Sequence, residues 1–442
     1  MIDDTIYAPA SGAPPSGIAV VRLSGPDAGE AVRAVASCGL PPPRQAVLAE
    51  IRDGERVLDQ ALVLWFPGPR SFTGEDVAEL HLHGGRAVIE AVLAALGKLP
   101  GLRLAEPGEF SRRAFAAGKL DLTSLEGLAD LVQAETEAQR RQAIRQMHGE
   151  LFRLYDGWRE TLVRALAYLE ATIDFSDEEI PADLEGQVFA GIRALTDEIT
   201  AHLGDDRRGE RLREGFRLAI LGPPNAGKSS LLNCLARRDA AIVSERAGTT
   251  RDVIEVHLDL GGYPVIALDT AGLRDSGDEI EREGVARARA QAADADLKLV
   301  VFNGAALPDW DPAARDLVDA TALVLVNKAD VMTGPAPETL DGRPVAAVSA
   351  KTGDGIGAML EAIGGEVRAR FGRSGDAVLT RARHRQALEA ASDHLRRALA
   401  GSEAELVAED LRLAARDLGR ITGRVDVEDL LDVIFRDFCI GK

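Results

Sequence analysis

Cysteine is scarce. The 442-residue chain has three, Cys38, Cys234 and Cys439. They are too few and too scattered for a disulfide framework or a zinc site, which suits a reducing compartment. No apolar run approaches the roughly 18 residues of a membrane span, and the N-terminus lacks the basic-then-apolar pattern of a secretory signal. The expectation is a cytoplasmic protein without a membrane partner. Basic charge is also short: 52 Lys and Arg stand against 71 Asp and Glu, a net charge of −19. That argues against a broad, nonspecific grip on nucleic acid but leaves room for a local basic patch. The sequence shows neither an internal repeat nor a long low-complexity segment, and it is long enough for two or three domains with ample core.

What is present begins with Gly222 to Ser230, GPPNAGKSS. It follows the apolar run Leu218 to Leu221 and precedes a helical pattern from Leu231, the strand–loop–helix context that the P-loop signature G-x-x-x-x-G-K-[ST] requires. The glycines let backbone N–H groups close around phosphates, and the following helix turns its positive end toward them. Lys228 is placed to pair with the β- and γ-phosphates and Ser229 to hold Mg²⁺. Asn225, Ala226, Gly227 and Ser230 complete the expected loop contacts.

Three further motifs follow in order. Gly248, Thr249 and Thr250 can supply the switch hydroxyl, from Thr250, that completes the Mg²⁺ shell. Asp269, Thr270, Ala271 and Gly272 end the apolar strand Val265 to Leu268, where the Asp can orient a metal-bound water and Gly272 can face the γ-phosphate. Asn327, Lys328, Ala329 and Asp330 end the strand Ala322 to Val326. A carboxylate there accepts two hydrogen bonds from guanine N1 and N2, which adenine cannot donate, and such polar readout discriminates about 10⁴-fold or more. Ser349 and Ala350, before Lys351, fit the loop that closes over the base. The set reads as a guanine-nucleotide domain.

Residues 1 to about 118 read as a mixed α+β unit, with strands at Gly17 to Leu23, Ala46 to Ile51, Ala61 to Phe66 and Ala78 to Leu82, and a helix from Arg86 to Leu99. Proline and glycine punctuate the turns. His81 and His83 share one strand face, but a metal needs more ligands than the sequence offers, so a solvent-facing or hydrogen-bonded pair is the reading. From Leu120 the pattern turns helical, with Thr123 and Glu126 as a capping box. Apolar residues then recur at helical spacing from Leu151 to Leu169. A further helix is expected over Glu185 to Leu203, then a charged stretch, Gly204 to Gly215. The nucleotide domain is a set of βα units, and helices resume at Val378 to Ala400, Glu403 to Leu418 and Asp426 to Phe438. The simplest architecture is one helical domain, residues 119–214 and 373–442, interrupted by a GTPase domain at 215–372, after an N-terminal domain at 1–118.

The flanks carry a resemblance. Ile6-Tyr7-Ala8, Arg22-Leu23-Ser24-Gly25, Ser71-Phe72-Thr73-Gly74-Glu75-Asp76, His83-Gly84-Gly85, Pro107-Gly108-Glu109-Phe110, Lys119-Leu120-Asp121-Leu122 and the ending Phe438-Cys439-Ile440-Gly441-Lys442 resemble the MnmE (TrmE) family of tRNA-modification GTPases over the whole chain. The resemblance implies a multidomain protein: an α+β N-terminal folate-binding domain, an all-α helical domain and an inserted α/β Ras-like P-loop GTPase domain. It implies a homodimer, formed through the N-terminal domain, that works with the FAD-containing partner MnmG. Together they add a carboxymethylaminomethyl-type group at C5 of wobble uridine 34 of certain tRNAs, with the one-carbon unit drawn from a tetrahydrofolate derivative. The family's folate contacts map onto Arg22, Glu79, Lys119 and Lys442. A pterin edge suits Glu79 and an anionic glutamate tail suits Arg22 or Lys119; surface charges, and a structural Arg22–Glu79 ion pair, are the alternatives. Cys439, with no His near it in sequence, reads as a packed or pocket-lining thiol.

Ras-like enzymes orient the attacking water with a glutamine after this Asp motif; here the position is Leu273. The resemblance implies that K⁺ takes the place of an arginine finger, held by Asn225 and by the loop Ser244 to Thr249, with Ser244, Arg246 and Thr249 serving through backbone oxygens. Glu281 would orient the water through a second one, and Ser244 would also touch GTP. Removing such electrostatic help costs about 10²-fold or more. Arg251 or Arg274 as an arginine finger in cis is the competing reading. Arg140, Arg141 and Arg145, or Arg381, Arg383 and Arg385, could face tRNA or be ordinary solvated helix faces. The alternative function is a ribosome-assembly or other RNA-linked GTPase switch without one-carbon chemistry. The sequence has no G-x-x-G clamp in a KH-like setting to favour it.

Overall fold

The computed structural model describes residues 4–174, 182–238, 240–242, 255–269, 293–371 and 378–425, together with Leu431, Ile434 and Gly441. The chain forms two compact units. One comprises Met1–Ala129, Gln146–Leu195 and Ala390–Lys442, the other Asp130–Arg145 and Thr196–Glu389.

The first unit holds a six-stranded sheet of β1 (Thr5–Pro9), β2 (Ser16–Ser24), β3 (Val47–Asp53), β4 (Arg56–Phe66), β5 (Val77–Gly84) and β6 (Leu102–Leu104). The order is β3-β4-β5-β2-β1-β6, antiparallel except for β1 with β6. Alternation decides the faces. Ala78, Leu80 and Leu82 of β5 point into a core shared with Val21, Leu23, Ile51 and Val63, which helices Ala28–Val35 and Arg86–Leu96 cover with Val32, Val92 and Leu96. Each fully buried Leu, Ile or Val is worth about 1.5–3 kcal/mol, enough to fix the register of every strand with a core face. The four expected strands and the helix at Arg86 are present with ends shifted by a few residues. The two strands not foreseen, β1 and β6, span five and three residues, too short to show a period.

Helix Leu122–Gln133 starts one residue before the expected cap at Thr123. Asp121 caps it, its Oδ1 accepting from the backbone N–H of Thr123 (2.8 Å) and Ser124 (3.0 Å). An aspartate acceptor at this position outcompetes the hydroxyl of Thr123, which instead donates to Asp121. Further on, helix Glu150–Asp174 packs along Ala404–Thr422, burying Tyr155, Trp158 and Leu162 on one and Leu411, Leu418 and Ile421 on the other. Ion pairs Arg412–Glu170 (2.8 Å) and Arg424–Asp156 (2.7 Å) show the two running antiparallel.

The second unit is built on a seven-stranded sheet of β7 (Phe216–Leu221), β8 (Glu255–Asp259), β9 (Pro264–Asp269), β10 (Leu297–Asn303), β11 (Ala322–Asn327), β12 (Thr339–Leu340) and β13 (Arg343–Ala347). The order is β12-β13-β11-β10-β7-β9-β8, with only the edge strands β12 and β8 antiparallel to their neighbours. Strands buried on both faces read as continuous apolar runs, and β7 is such a run from Leu218 to Leu221. Helices Lys228–Ala236 and Ile356–Phe371 close over it through Leu231, Leu235, Met359 and Ile363.

The charged stretch after Leu203 is not a plain linker: it forms helix Arg208–Glu214. Buried Asp205 and Glu210 both take Arg385, at 2.7 and 3.0 Å. Arg381 pairs with Asp130 at 2.7 Å, and Arg140 with Glu137 at 2.8 Å. The two basic clusters considered for RNA thus hold internal ion pairs. Among the described residues, no helix is long and apolar enough to cross a membrane.

Candidate functional site

Parallel β7, β9 and β11 end on the same edge of the sheet, at Leu221, Asp269 and Asn327, and Asp269 stands opposite Ile220 in register. This edge, outside the carboxyl ends of the strands, is where α/β sheets bind ligands. The loop after β7 is held open by backbone geometry. Gly222 has φ 144°, and a Cβ there would meet Val301 O at 2.1 Å; Gly227 has φ 91°, and a Cβ would meet Asn327 Nδ2 at 2.3 Å. Asn225 takes the left-handed conformation as well, with φ 61°, one that asparagine tolerates better than most residues. Helix Lys228–Ala236 begins directly after, so the loop N–H groups and the helix N-terminus converge on one concavity. Lys228, buried, donates from Nζ to Gly222 O (2.8 Å) and Pro223 O (3.0 Å), which keeps its ammonium on the loop. Ser229 and Ser230 lie exposed on the first helical turn. A cradle that no Cβ could enter, a lysine and an exposed serine hydroxyl fit a Mg²⁺-bound polyphosphate.

Asn327 joins this loop to the base side. Its amide, 1% exposed, donates from Nδ2 to Ala226 O at 2.9 Å and accepts at Oδ1 from Ala350 N at 3.0 Å. Lys328, at φ 66°, turns the chain away from the strand. Asp330 is exposed and accepts at Oδ1 from the buried Ser349 Oγ at 2.7 Å, while Ser349 Oγ accepts from Thr352 N at 3.1 Å. One carboxylate oxygen is thereby held by the buried hydroxyl on an otherwise exposed side chain. The structure therefore brings Asn225, Ala226, Gly227, Lys228, Asn327, Lys328, Asp330, Ser349 and Ala350 to one edge. Ser244, Arg246, Gly248, Thr249, Thr250, Arg251, Thr270, Ala271, Gly272, Leu273, Arg274 and Glu281 lie outside the described residues.

The second cluster lies on the N-terminal sheet. Arg22 of β2 and Glu79 of β5 are register partners, and Arg22 donates to Glu79 Oε1 from Nε at 3.0 Å with Nη2 at 2.9 Å. Arg22 Nη1 also donates to Gly441 O at 3.4 Å, which brings the residue before Lys442 onto this sheet. Phe72 and Phe110 flank the guanidinium, 5.7 and 5.9 Å from its carbon to the ring centroids, within cation–π range. Lys119 lies beside the loop that carries Phe72, its Cε 3.5 Å from where a Cβ of Gly74 would stand. Cys439 and Lys442 lie outside the described residues. His81 bonds Glu79 Oε2 at 3.2 Å and His83 bonds Asp59 Oδ1 at 2.7 Å. Among the described residues, no group of three ligand-type side chains could hold a metal ion. Phe72 and Phe110 carried no role in the sequence reading, although both sit within its family markers; nothing in their spacing announces that they meet around one arginine.

Comparisons with known proteins cover the chain end to end. The family described as "GTP-binding protein TrmE N-terminus" matches residues 5–119, and the "MnmE helical domain" matches residues 122–439. The tRNA modification GTPase MnmE of Paramagnetospirillum magneticum is 60% identical over 442 residues, covering 100% of both chains. That of Rhodospirillum rubrum is 56% identical over 456 residues, again covering 100% of each. Among solved structures, the G domain of the T. maritima FeoB iron transporter aligns with a TM-score of 0.26 at 22% identity, covering 35% of this chain and 99% of that one.

Proposed function

The chain belongs to the MnmE family of tRNA modification GTPases, and from that premise we propose that it is the K⁺-dependent GTPase of a folate-dependent modification of wobble uridine. It is a GTP hydrolase acting in tRNA modification. The finer reading adds a homodimer in the cytoplasm, the FAD-containing partner MnmG, and a carboxymethylaminomethyl-type group placed on C5 of uridine 34 from a tetrahydrofolate one-carbon unit. The N-terminal domain at 1–118 would hold the folate. The helical domain at 119–214 and 373–442 would carry the GTPase domain at 215–372.

On this reading the loop Asn225 to Ser230 holds the phosphates, Ser229 and Thr250 hold Mg²⁺, and Asp330 reads the guanine edge. Asn225 and backbone oxygens of Ser244, Arg246 and Thr249 hold K⁺, which supplies positive charge where the transition state develops negative charge. Glu281 orients the attacking water. Exchange of K⁺ for Na⁺, or Glu281→Ala, should slow hydrolysis about 10²-fold or more with nucleotide binding nearly intact. Collapse of binding in Glu281→Ala would make that residue structural.

The observation that carries the folate reading is the junction of Arg22, Glu79 and Gly441, which ties the chain terminus to two charged positions that match the family's folate contacts. The test is calorimetric titration of the intact protein with 5-formyltetrahydrofolate, beside a variant lacking Lys442. Saturable binding that weakens in the variant supports one site built from both. No binding to the intact protein would leave a GTPase switch without one-carbon chemistry.

A further inference from the structure

The side chain of Arg113 is 1% exposed, so it cannot touch a ligand, yet it pairs with the carboxylates of Asp4, Glu75 and Glu109. It sits on helix Glu109–Ala116, the helix that also carries Phe110. Nη1 donates to Asp4 O at 3.0 Å and to Glu75 Oε2 at 3.1 Å; Nη2 donates to Asp4 Oδ1 at 2.8 Å and Glu109 Oε1 at 3.1 Å. Burial pushes the Glu109 carboxyl up, but hydrogen bonds from Arg103, the Glu106 N–H and Arg113 outweigh it and hold the group below its ordinary value. Glu109 is therefore ionised at neutral pH.

Glu75 belongs to the loop Ser71–Asp76, and that loop is fastened at several points. Glu75 Oε2 accepts from Ser24 Oγ at 2.7 Å, and Ser24 Oγ lies 2.7 Å from Thr73 Oγ1, with both hydroxyl residues 0% exposed. Gly25 N donates to Asp76 O at 3.0 Å and Gly68 N to Asp76 Oδ1 at 2.9 Å. The fastened loop presents Phe72 to one side of Arg22 while the Arg113 helix presents Phe110 to it as well. It also presents Gly74, at φ +83°, where an added Cβ would be strained and would stand 3.0 Å from Ala117 Cβ and 3.5 Å from Lys119 Cε. The Arg113–Glu75 pair is the cross-link between the helix bearing one ring and the loop bearing the other.

We propose that Arg113 is a positioning residue of the folate site, acting through Glu75 to set the spacing of Phe72 and Phe110 around Arg22 and to seat Gly74 against Lys119. This rests on the folate reading above. A buried arginine that loses its fork leaves carboxylates unpaired and the loop free to drift, and a displacement of about 1 Å in a binding constellation is enough to be felt.

The experiment is titration of the full chain with 5-formyltetrahydrofolate in five forms: unaltered, Glu75→Gln, Arg113→Lys, Phe72→Leu and the double variant Phe72→Leu with Glu75→Gln. Glu75→Gln is the milder arm, since the amide still accepts from Ser24, and it keeps the test decisive if Arg113→Lys folds poorly. Each of the first two substitutions is expected to weaken binding about 10-fold. In a Phe72→Leu background, Glu75→Gln should cost much less than it does alone, because its effect passes through Phe72. A general loss of stability would cost the same in both backgrounds, and that result would overturn the proposal, as would unchanged affinity in both Glu75→Gln and Arg113→Lys. If the unaltered chain does not bind the folate, the reading beneath the proposal fails instead, and the two failures are told apart by that first titration.

Discussion

Ser349 Oγ stands 2.7 Å from Asp330 Oδ1, and the serine is wholly buried while the aspartate is exposed. The hydroxyl orients a carboxylate that would otherwise rotate freely in water. Two substitutions separate orientation from readout. Asp330→Asn replaces an acceptor with a donor, so affinity for GTP should fall by about 10²-fold or more while xanthosine triphosphate becomes the better ligand. Ser349→Ala leaves the carboxylate but not its anchor; affinity should fall about 10-fold, the scale of one hydrogen bond to a charged group, with the preference for GTP kept. Fluorescent-nucleotide titrations with both triphosphates read the two effects. Unchanged GTP affinity in Asp330→Asn would refute the base-reading role.

The Gly227 position is tighter still. With φ at +91° and Asn327 Nδ2 only 2.3 Å from any added Cβ, Gly227→Ala must displace the amide that holds Ala226 O. The loss spreads to Ala350 N, because the same amide accepts from it. Nucleotide affinity is expected to fall at least about 10²-fold, the strain and the lost hydrogen bonds together amounting to a few kcal/mol. Retention of tight GDP binding would mean the loop can relax in a way these contacts deny.

These relationships were only partly legible in the sequence. The strand–loop–helix context marked Lys228 and Ser229 at once, because the G-x-x-x-x-G-K-[ST] spacing ties both residues to the loop and the helix start. The linkage of Asn327 to Ala226 across 101 positions has no local signature, since it depends on β7 and β11 ending on the same sheet edge. The cap at Asp121 was misplaced onto Thr123 because both residue types suit an N-terminus and only the backbone decides between them. Arg385 read as a surface cation in a run of arginines; its burial between Asp205 and Glu210 comes from elements almost 180 positions apart. Phe72 and Phe110 belong to the same class of long-range contact.

The turn between β8 and β9 offers a backbone test. Ala138 N donates to Gly262 O at 3.0 Å, and His257 Nδ1 lies 2.9 Å from Glu135 Oε2. A cavity of about 190 Å³ lies beside this seam, lined by Gln142, Ile242 and Ile266 among others. Ala138 is the second residue of helix Glu137–Met147, a first-turn position where proline disrupts least. Ala138→Pro should remove the seam bond at about 1 kcal/mol, seen as faster amide hydrogen exchange in both 255–269 and 137–147 with the helix retained. Acceleration confined to the helix would mean that the proline broke the helix and that the seam does not hold the hairpin.

His202, near the end of helix Ala182–Leu203, gives the pH dependence its sign. Burial pushes its imidazole below the ordinary 6.5, the Asp205 carboxylate pulls it back in part, and Arg385 adds to the depression. Below pH 6.5 the unfolded chain therefore binds a proton that the folded chain refuses. Stability from this group is fully present above that pH and declines as pH falls toward the depressed value. Carboxylates held low by their partners lie outside this window; Asp319, for instance, is lowered to about 2, since the hydrogen bonds from Lys298 and Thr321 overcome the burial that would raise it. Urea midpoints should accordingly drop between pH 7.5 and 5.8, and His202→Gln should flatten most of that slope, because glutamine fills the space without a proton to gain. An equal slope in the variant would assign the dependence to another group and leave the His202 environment neutral to folding.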